Sequence, residues 1–182
     1  MSDTRSRAGI LVGLGAVVGA FCAVAMLSTT APTAHADDFS DITAGVNEDL
    51  TFGQAAFTLA NGYFGESELV PGLTAFFNGT NDDTLSAPQS LLLGTIEASA
   101  NESITSIGNF QIQDPGNLAG AVSLAQTYFA TGEADFGQAS TYFAEGYIGA
   151  GTAYDMVGAD YAYVVPLEEL FLGVVASFTP QL

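Results

Sequence analysis

Beyond position 36 the chain contains no lysine, arginine, histidine, cysteine or tryptophan. The only basic side chains are Arg5 and Arg7, the only histidine is His35, and the only cysteine is Cys22. Without histidine or cysteine there is no Ser-His-Asp or Cys-His nucleophile and no zinc site of the usual type. Without lysine there is no Schiff base and no phosphate-binding lysine. Without any cation, nothing neutralises the phosphates of DNA or RNA, and nothing draws the chain to anionic lipid. Without cysteine there is no disulfide, so stability must come from burial. The residue types exclude most enzyme classes, and no catalytic, cofactor-binding or metal-ligating residue is assigned.

The cations cluster where an export signal would hold them. Arg5 and Arg7 start the chain, Ala8 to Leu27 is apolar, and Ala34-His35-Ala36 has the small-x-small pattern of a cleavage site. These three zones predict a Sec-type signal peptide over residues 1–36. The alternative is a retained membrane anchor, because the apolar run matches the ~20 residues that span a bilayer. Bulky Phe21 before Cys22 argues against a lipoprotein anchor, and no paired arginines suggest the twin-arginine route. Glycines interrupt the later apolar stretches, so no further spanning helix is expected.

What remains, Asp37 to Leu182, is one acidic domain of ordinary size. Of the chain's 20 carboxylates only Asp3 precedes the cut, which leaves 19 acids and no cation. Every ionised side chain repels every other, which raises proton affinity. Added salt or mild acid is therefore expected to stabilise the fold. The acid also keeps an apolar chain soluble, with 12 phenylalanines and seven tyrosines after the cut. The partners left open are a cationic protein, polyamines, divalent ions or an apolar ligand.

The spacing of apolar residues is helical. Leu50, Phe57 and Phe64 recur every seven positions, as do Phe129, Phe136 and Phe143, and then Tyr147, Tyr154 and Tyr161. Intervals of four and seven place side chains on one helix face. Helices are predicted over 38–63, 67–78, 87–100, 115–131, 133–147, 151–164 and 166–178, with a loop at 101–113. Asn78-Gly79-Thr80-Asn81-Asp82-Asp83 reads as the clearest turn. Asp114-Pro115 reads as a helix cap, and Gly62, Gly65, Gly146 and Gly149 as helix closers.

An internal repeat is also visible. Phe52-Gly53-Gln54-Ala55 returns as Phe136-Gly137-Gln138-Ala139, with Ala60, Gly62, Tyr63 and Gly65 matching Ala144, Gly146, Tyr147 and Gly149. Pro88 and Pro166 each precede a leucine-rich segment. The expected fold is an all-α helical bundle of two similar helical halves, about 37–105 and 106–182, within one domain.

Carboxylates are the only remaining chemistry. Glu66/Glu68 and Glu168/Glu169 are the pairs that glycoside hydrolysis would need, though each is only adjacent in sequence. Calcium takes oxygen ligands alone, and Asn81-Asp82-Asp83 and Asp37-Asp38-Asp41 are acidic enough to be considered; neither has EF-hand spacing. The aromatic faces are either core or the lining of a pocket for an apolar molecule.

Ala-His-Ala, the following Asp-Asp-Phe-Ser-Asp-Ile and the segment Phe-Gly-Gln-Ala-Ala-Phe resemble small exported helical proteins of mycobacteria and relatives. That resemblance implies a secreted or envelope-associated location and supplies no catalytic residue. The PE and WXG secretion families fit less well. There is no Trp-x-Gly turn, and Tyr142 and Tyr154 are each followed four positions later by glycine rather than an acid. The expectation is an exported, acidic, non-enzymatic protein that binds a partner or forms part of the envelope. The alternatives are a carrier of an apolar molecule or lipid, and a carboxylate-dependent hydrolase.

Overall fold

The structure, a computed structural model, describes residues 36–100 and 110–179. The predicted export signal at 1–35, the side chains of Asp37 and Asp38, and most of the predicted loop at 101–113 lie outside the described residues. Among those described, all regular structure is helical.

The chain forms two helical hairpins. In the first, α1 (Ala36–Gly65) turns into a second rod composed of α2 (Leu69–Asn81), a π-helical turn π1 (Asp82–Ser86) and α3 (Ala87–Ala100). In the second, α4 (Leu118–Glu145) turns into α5 (Ile148–Ala159), π2 (Asp160–Val164) and α6 (Val165–Phe178). The junction residues Asp82, Ala87, Asp160 and Val165 all keep right-handed helical angles, so each second rod is continuous. The result is four long rods where seven shorter helices were expected.

Each π turn ends two residues before a proline. Ala87 N–H reaches back five residues to Asp82 O, and Val165 N–H to Asp160 O, with Pro88 and Pro166 next in the chain. Proline lacks the N–H for the usual bond, and its ring collides with the carbonyl four residues earlier. Widening the preceding turn relieves that collision without breaking the rod.

Several expected breaks are absent. Residues 78–83 are helical, because their polar groups bond across the molecule instead of folding a local turn. Asn78 exchanges two hydrogen bonds with the backbone of Ile112, at 3.2 and 2.7 Å. The expected division near 132 does not occur, since Gly132 is buried inside α4. Asn117, not Asp114, caps α4, its side chain accepting from Gly120 N–H at 2.9 Å. Asp114 instead accepts from Gly116 N–H at 2.8 Å within the preceding turn.

Of the four glycines proposed as helix closers, Gly146 takes the left-handed angle, with φ of 88°. Its counterpart in the first hairpin is Ser67, with φ of 66°. Both turns close the same way. Glu68 N–H bonds Tyr63 O and Tyr147 N–H bonds Tyr142 O, each at 2.9 Å, which is the Schellman arrangement.

Small residues line the middle of the helix contacts. α1 and α4 each pack along the second rod of their own hairpin. Gly53 and Ala60 are buried on α1, and Ala121, Ala125, Gly132 and Ala139 on α4. A Cβ at Gly132 would lie 2.6 Å from Gly158 O and 2.7 Å from Ala162 N, so the two backbones approach closer than any side chain permits. The phenylalanine stripes flank this contact rather than fill it. Phe129, Phe143 and Phe64 stay exposed at the margin.

These contacts recur 79 positions apart. Gly53 faces Gly79 as Gly132 faces Gly158. Phe64 covers Gly72 as Phe143 covers Gly151, and Ile42 meets Gly94 as Ala121 meets Gly173. The sequence match at a spacing of 84 therefore sets the first helices five residues out of register. Ala/Gly/Phe-rich composition produces such matches readily.

Candidate functional site

The hairpins meet through their second rods. α2 touches α6 and α3 touches α5, so the two second rods run antiparallel, each with its π turn between the two contacting segments. A core of Phe110, Ile112, Val157, Val165 and Leu172 fills the seam between them, with Leu73, Phe77, Leu85, Tyr128 and Tyr161 packed around it.

Phe110 and Ile112 come from an extended strap, residues 110–117, that both hairpins hold. From the first hairpin Asn81 Nδ2 donates to Phe110 O at 3.0 Å, beside the Asn78–Ile112 pair. From the second, Tyr128 Oη donates to Gln111 O at 3.0 Å, and Glu169 Oε1 accepts from Gln113 N–H at 2.8 Å.

Two amide–carboxylate bonds cross the seam directly. Asn81 Nδ2 donates to Glu168 Oε2 at 2.8 Å, and Gln89 Nε2 donates to Asp160 Oδ2. Asn81 and Asp160 are 79 positions apart, and so are Gln89 and Glu168. The bonds are thus exchanged reciprocally, as across a two-fold axis where residue i meets j and j meets i.

The seam is rich in acid and has no basic side chain. Asp82 is pushed up to about 6 by burial, with Asp49 and Asp83 adding repulsion. Glu168 is pushed up to about 7 by burial, against the lowering effect of Asn81. Burial also raises Asp83, Asp160 and Glu169 above the ordinary carboxylate range. Three oxygens, Asp83 Oδ1, Gln89 Oε1 and Glu169 Oε2, are buried without a hydrogen-bond donor.

The acids singled out from sequence are thereby separated in role. Glu66 and Glu68 stand exposed in the first hairpin turn. Glu168 reaches Asn81, whereas Glu169 is fully buried against the strap. Asn81 and Asp82 lie buried in the seam, not in a calcium loop, and Asp41 is exposed on α1. Among the described residues no group of three or more acids is arranged to hold a metal ion. Sequence reading passed over Gln89 and Asp160. The signal that finds them is the spacing of 79 applied to Asn81 and Glu168.

The outer surface carries a second feature. Tyr163, Leu167, Phe171, Val174 and Phe178 are all exposed, and their spacing of four, four, three and four residues places them on one helix face. No acid interrupts that stripe, because Glu168 and Glu169 point into the seam. Phe171 packs edge-on against Phe77 with ring centres 5.8 Å apart, and Phe77 against Phe76 at 6.0 Å, which carries the apolar surface across to the first hairpin.

Gly149 lies inside a helix instead of closing one, and the second rod is longer than the absence of a further spanning helix implied. Ile148–Phe178 is a helix of 31 residues, long and apolar enough by length and composition to cross a membrane. A core helix can pass the same test. A depression of 630 Å³ on α4 is wide open and lined by Ser123, Gln126, Thr127, Ala130, Thr131, Ala134 and Asp135, not by aromatic rings.

Comparison with family models, with curated proteins and with solved structures finds no match.

Proposed function

We propose that the chain is an exported, acidic, non-enzymatic protein that works by presenting an apolar helix face to a partner, free in the medium or within the cell envelope. Export rests on Arg5, Arg7, the apolar run and Ala34-His35-Ala36. Its two hairpins, with contacts recurring at 79 positions, are two copies of one unit within a single domain. The small exported helical proteins of mycobacterial type remain the group it resembles.

The charge-free stripe from Tyr163 to Phe178 carries the binding reading. A large exposed apolar patch marks an interaction surface. Here it sits on a chain whose other faces bear carboxylates, so solubility is secured elsewhere and the stripe is left to make contact. A cationic rim on the partner would complement the surrounding acid. An apolar small molecule would lie on this stripe rather than in the polar depression on α4.

Nile red, an uncharged apolar dye, tests the surface. The folded protein should enhance its fluorescence, and Leu167→Asp/Phe171→Asp should remove most of that enhancement while the circular dichroism melt stays in place. No enhancement by the wild type, or full enhancement by the variant, would remove the stripe as a binding face.

A further inference from the structure

We propose that the seam between the hairpins is a proton-operated latch, closed when its buried acids are neutral and loosened when they ionise.

The hydrogen-bond geometry offers two places for a proton. Gln89 is buried, and its Nε2 already donates to Asp160, yet its Oε1 faces no donor. An ionised Asp160 only accepts; a protonated Asp160 brings an O–H to the same amide and can satisfy both of its ends. Glu169 is fully buried with Oε1 occupied by Gln113 N–H and Oε2 unpartnered. A carboxylate in that state leaves a charge in the core, whereas a carboxylic acid leaves none. In other proteins a buried acid is neutralised by arginine or lysine. No basic side chain exists between positions 36 and 182, so protonation is the route open to side chains here.

All titratable neighbours press in the same direction. Glu168 has Glu169 beside it, and Glu169 has Asp114 of the strap and Tyr128 of α4; Tyr161 of π2 has Tyr128 and Asp135 of α4, and Asp82 of π1 has Asp83. Asp49 of α1 lies behind Asp82. None supplies positive charge.

The sign follows from linkage. These acids hold their protons to higher pH in the folded protein than in the unfolded chain, whose carboxylates titrate near 4. Between about 4 and about 7 the folded state binds more protons, so stability falls as pH rises through that window. Below it the latch is fully closed.

Thermal melting at pH 5 and pH 8, in high salt to screen general surface repulsion, reads the latch. The wild type should melt roughly 5–10 °C lower at pH 8. Asp160→Asn/Glu168→Gln, which converts both cross-seam pairs to amide–amide pairs, should lose more than half of that difference. An undiminished difference in the variant, or a wild type as stable at pH 8 as at pH 5, would overturn the proposal. If the variant does not fold, infrared spectroscopy of the wild type decides. At pH 6 a carboxylic-acid carbonyl band should persist in the folded protein and vanish on unfolding; its absence from the folded protein would overturn the latch.

Discussion

The two hairpins share a packing plan and differ in the chemistry they bring to their common seam. The first offers amides, Asn81 and Gln89; the second offers acids, Asp160 and Glu168, at the corresponding places. Two identical hairpins would set amide against acid at both crossings only if each carried one of either kind. Here each hairpin carries one kind alone, and both bonds still form. Equal shapes thus allow unequal chemistry, and the inequality makes the seam respond to protons.

If the hairpins are equivalent in packing, Leu93→Ala and Leu172→Ala should cost the same. Both side chains are almost completely buried and stand 79 positions apart. Each substitution should lower stability by about 3 kcal/mol in denaturant titration. A difference of more than about 1.5 kcal/mol between them would break the equivalence.

Glycine substitutions should separate the hairpins. A Cβ at Gly132 meets the backbone of Gly158 and Ala162, which cannot yield without moving a helix. At Gly53 it meets the carboxylate end of Asp83, which can swing aside, and Gly79 O at 3.1 Å. Gly132→Ala should therefore cost about 3 kcal/mol and Gly53→Ala about 1 kcal/mol. Equal melting temperatures for the two variants would show that Asp83 is held as rigidly as backbone.

The turns give the smallest effect. Ser67 occupies the left-handed position that Gly146 occupies in the second hairpin. A left-handed angle strains a residue with a Cβ, partly offset by the greater freedom of glycine in the unfolded chain. Ser67→Gly should gain about 0.5 kcal/mol, and Gly146→Ser should lose about 1 kcal/mol, measured by chemical denaturation.

The helical fold was legible because it is written in intervals of four and seven, and the Asn117–Gly146 span shows how far that reading reaches. The period placed helix on both sides of Gly132 but could not join them, since a glycine reads locally as a weak point. Only the partner rod shows why it is there. Asn78, Gly79 and Asn81 misled for a related reason. Their residue types favour turns in isolation, and the bonds that hold them in a helix come from Phe110 and Ile112, some 30 positions away.

The seam was legible in part. Glu168, Glu169, Asp82 and Asp83 drew attention as acids, but as surface chemistry for water, sugar or calcium. That they turn inward is a property of the proline-coupled π turns and the strap, which no local pattern announces. Gln89 and Asp160 were hidden by the register. A match at 84 pairs neither of them, whereas the spacing of 79 pairs both.

Hydrogen exchange at pH 5 and pH 8, corrected for the intrinsic rate, reads the seam most directly. If neutral acids hold the hairpins together, amides of π1, π2 and strap residues 110–113 should lose protection at pH 8 well before the middle of α4 does. Protection that is unchanged at the seam, or that falls uniformly along all four rods, would contradict it.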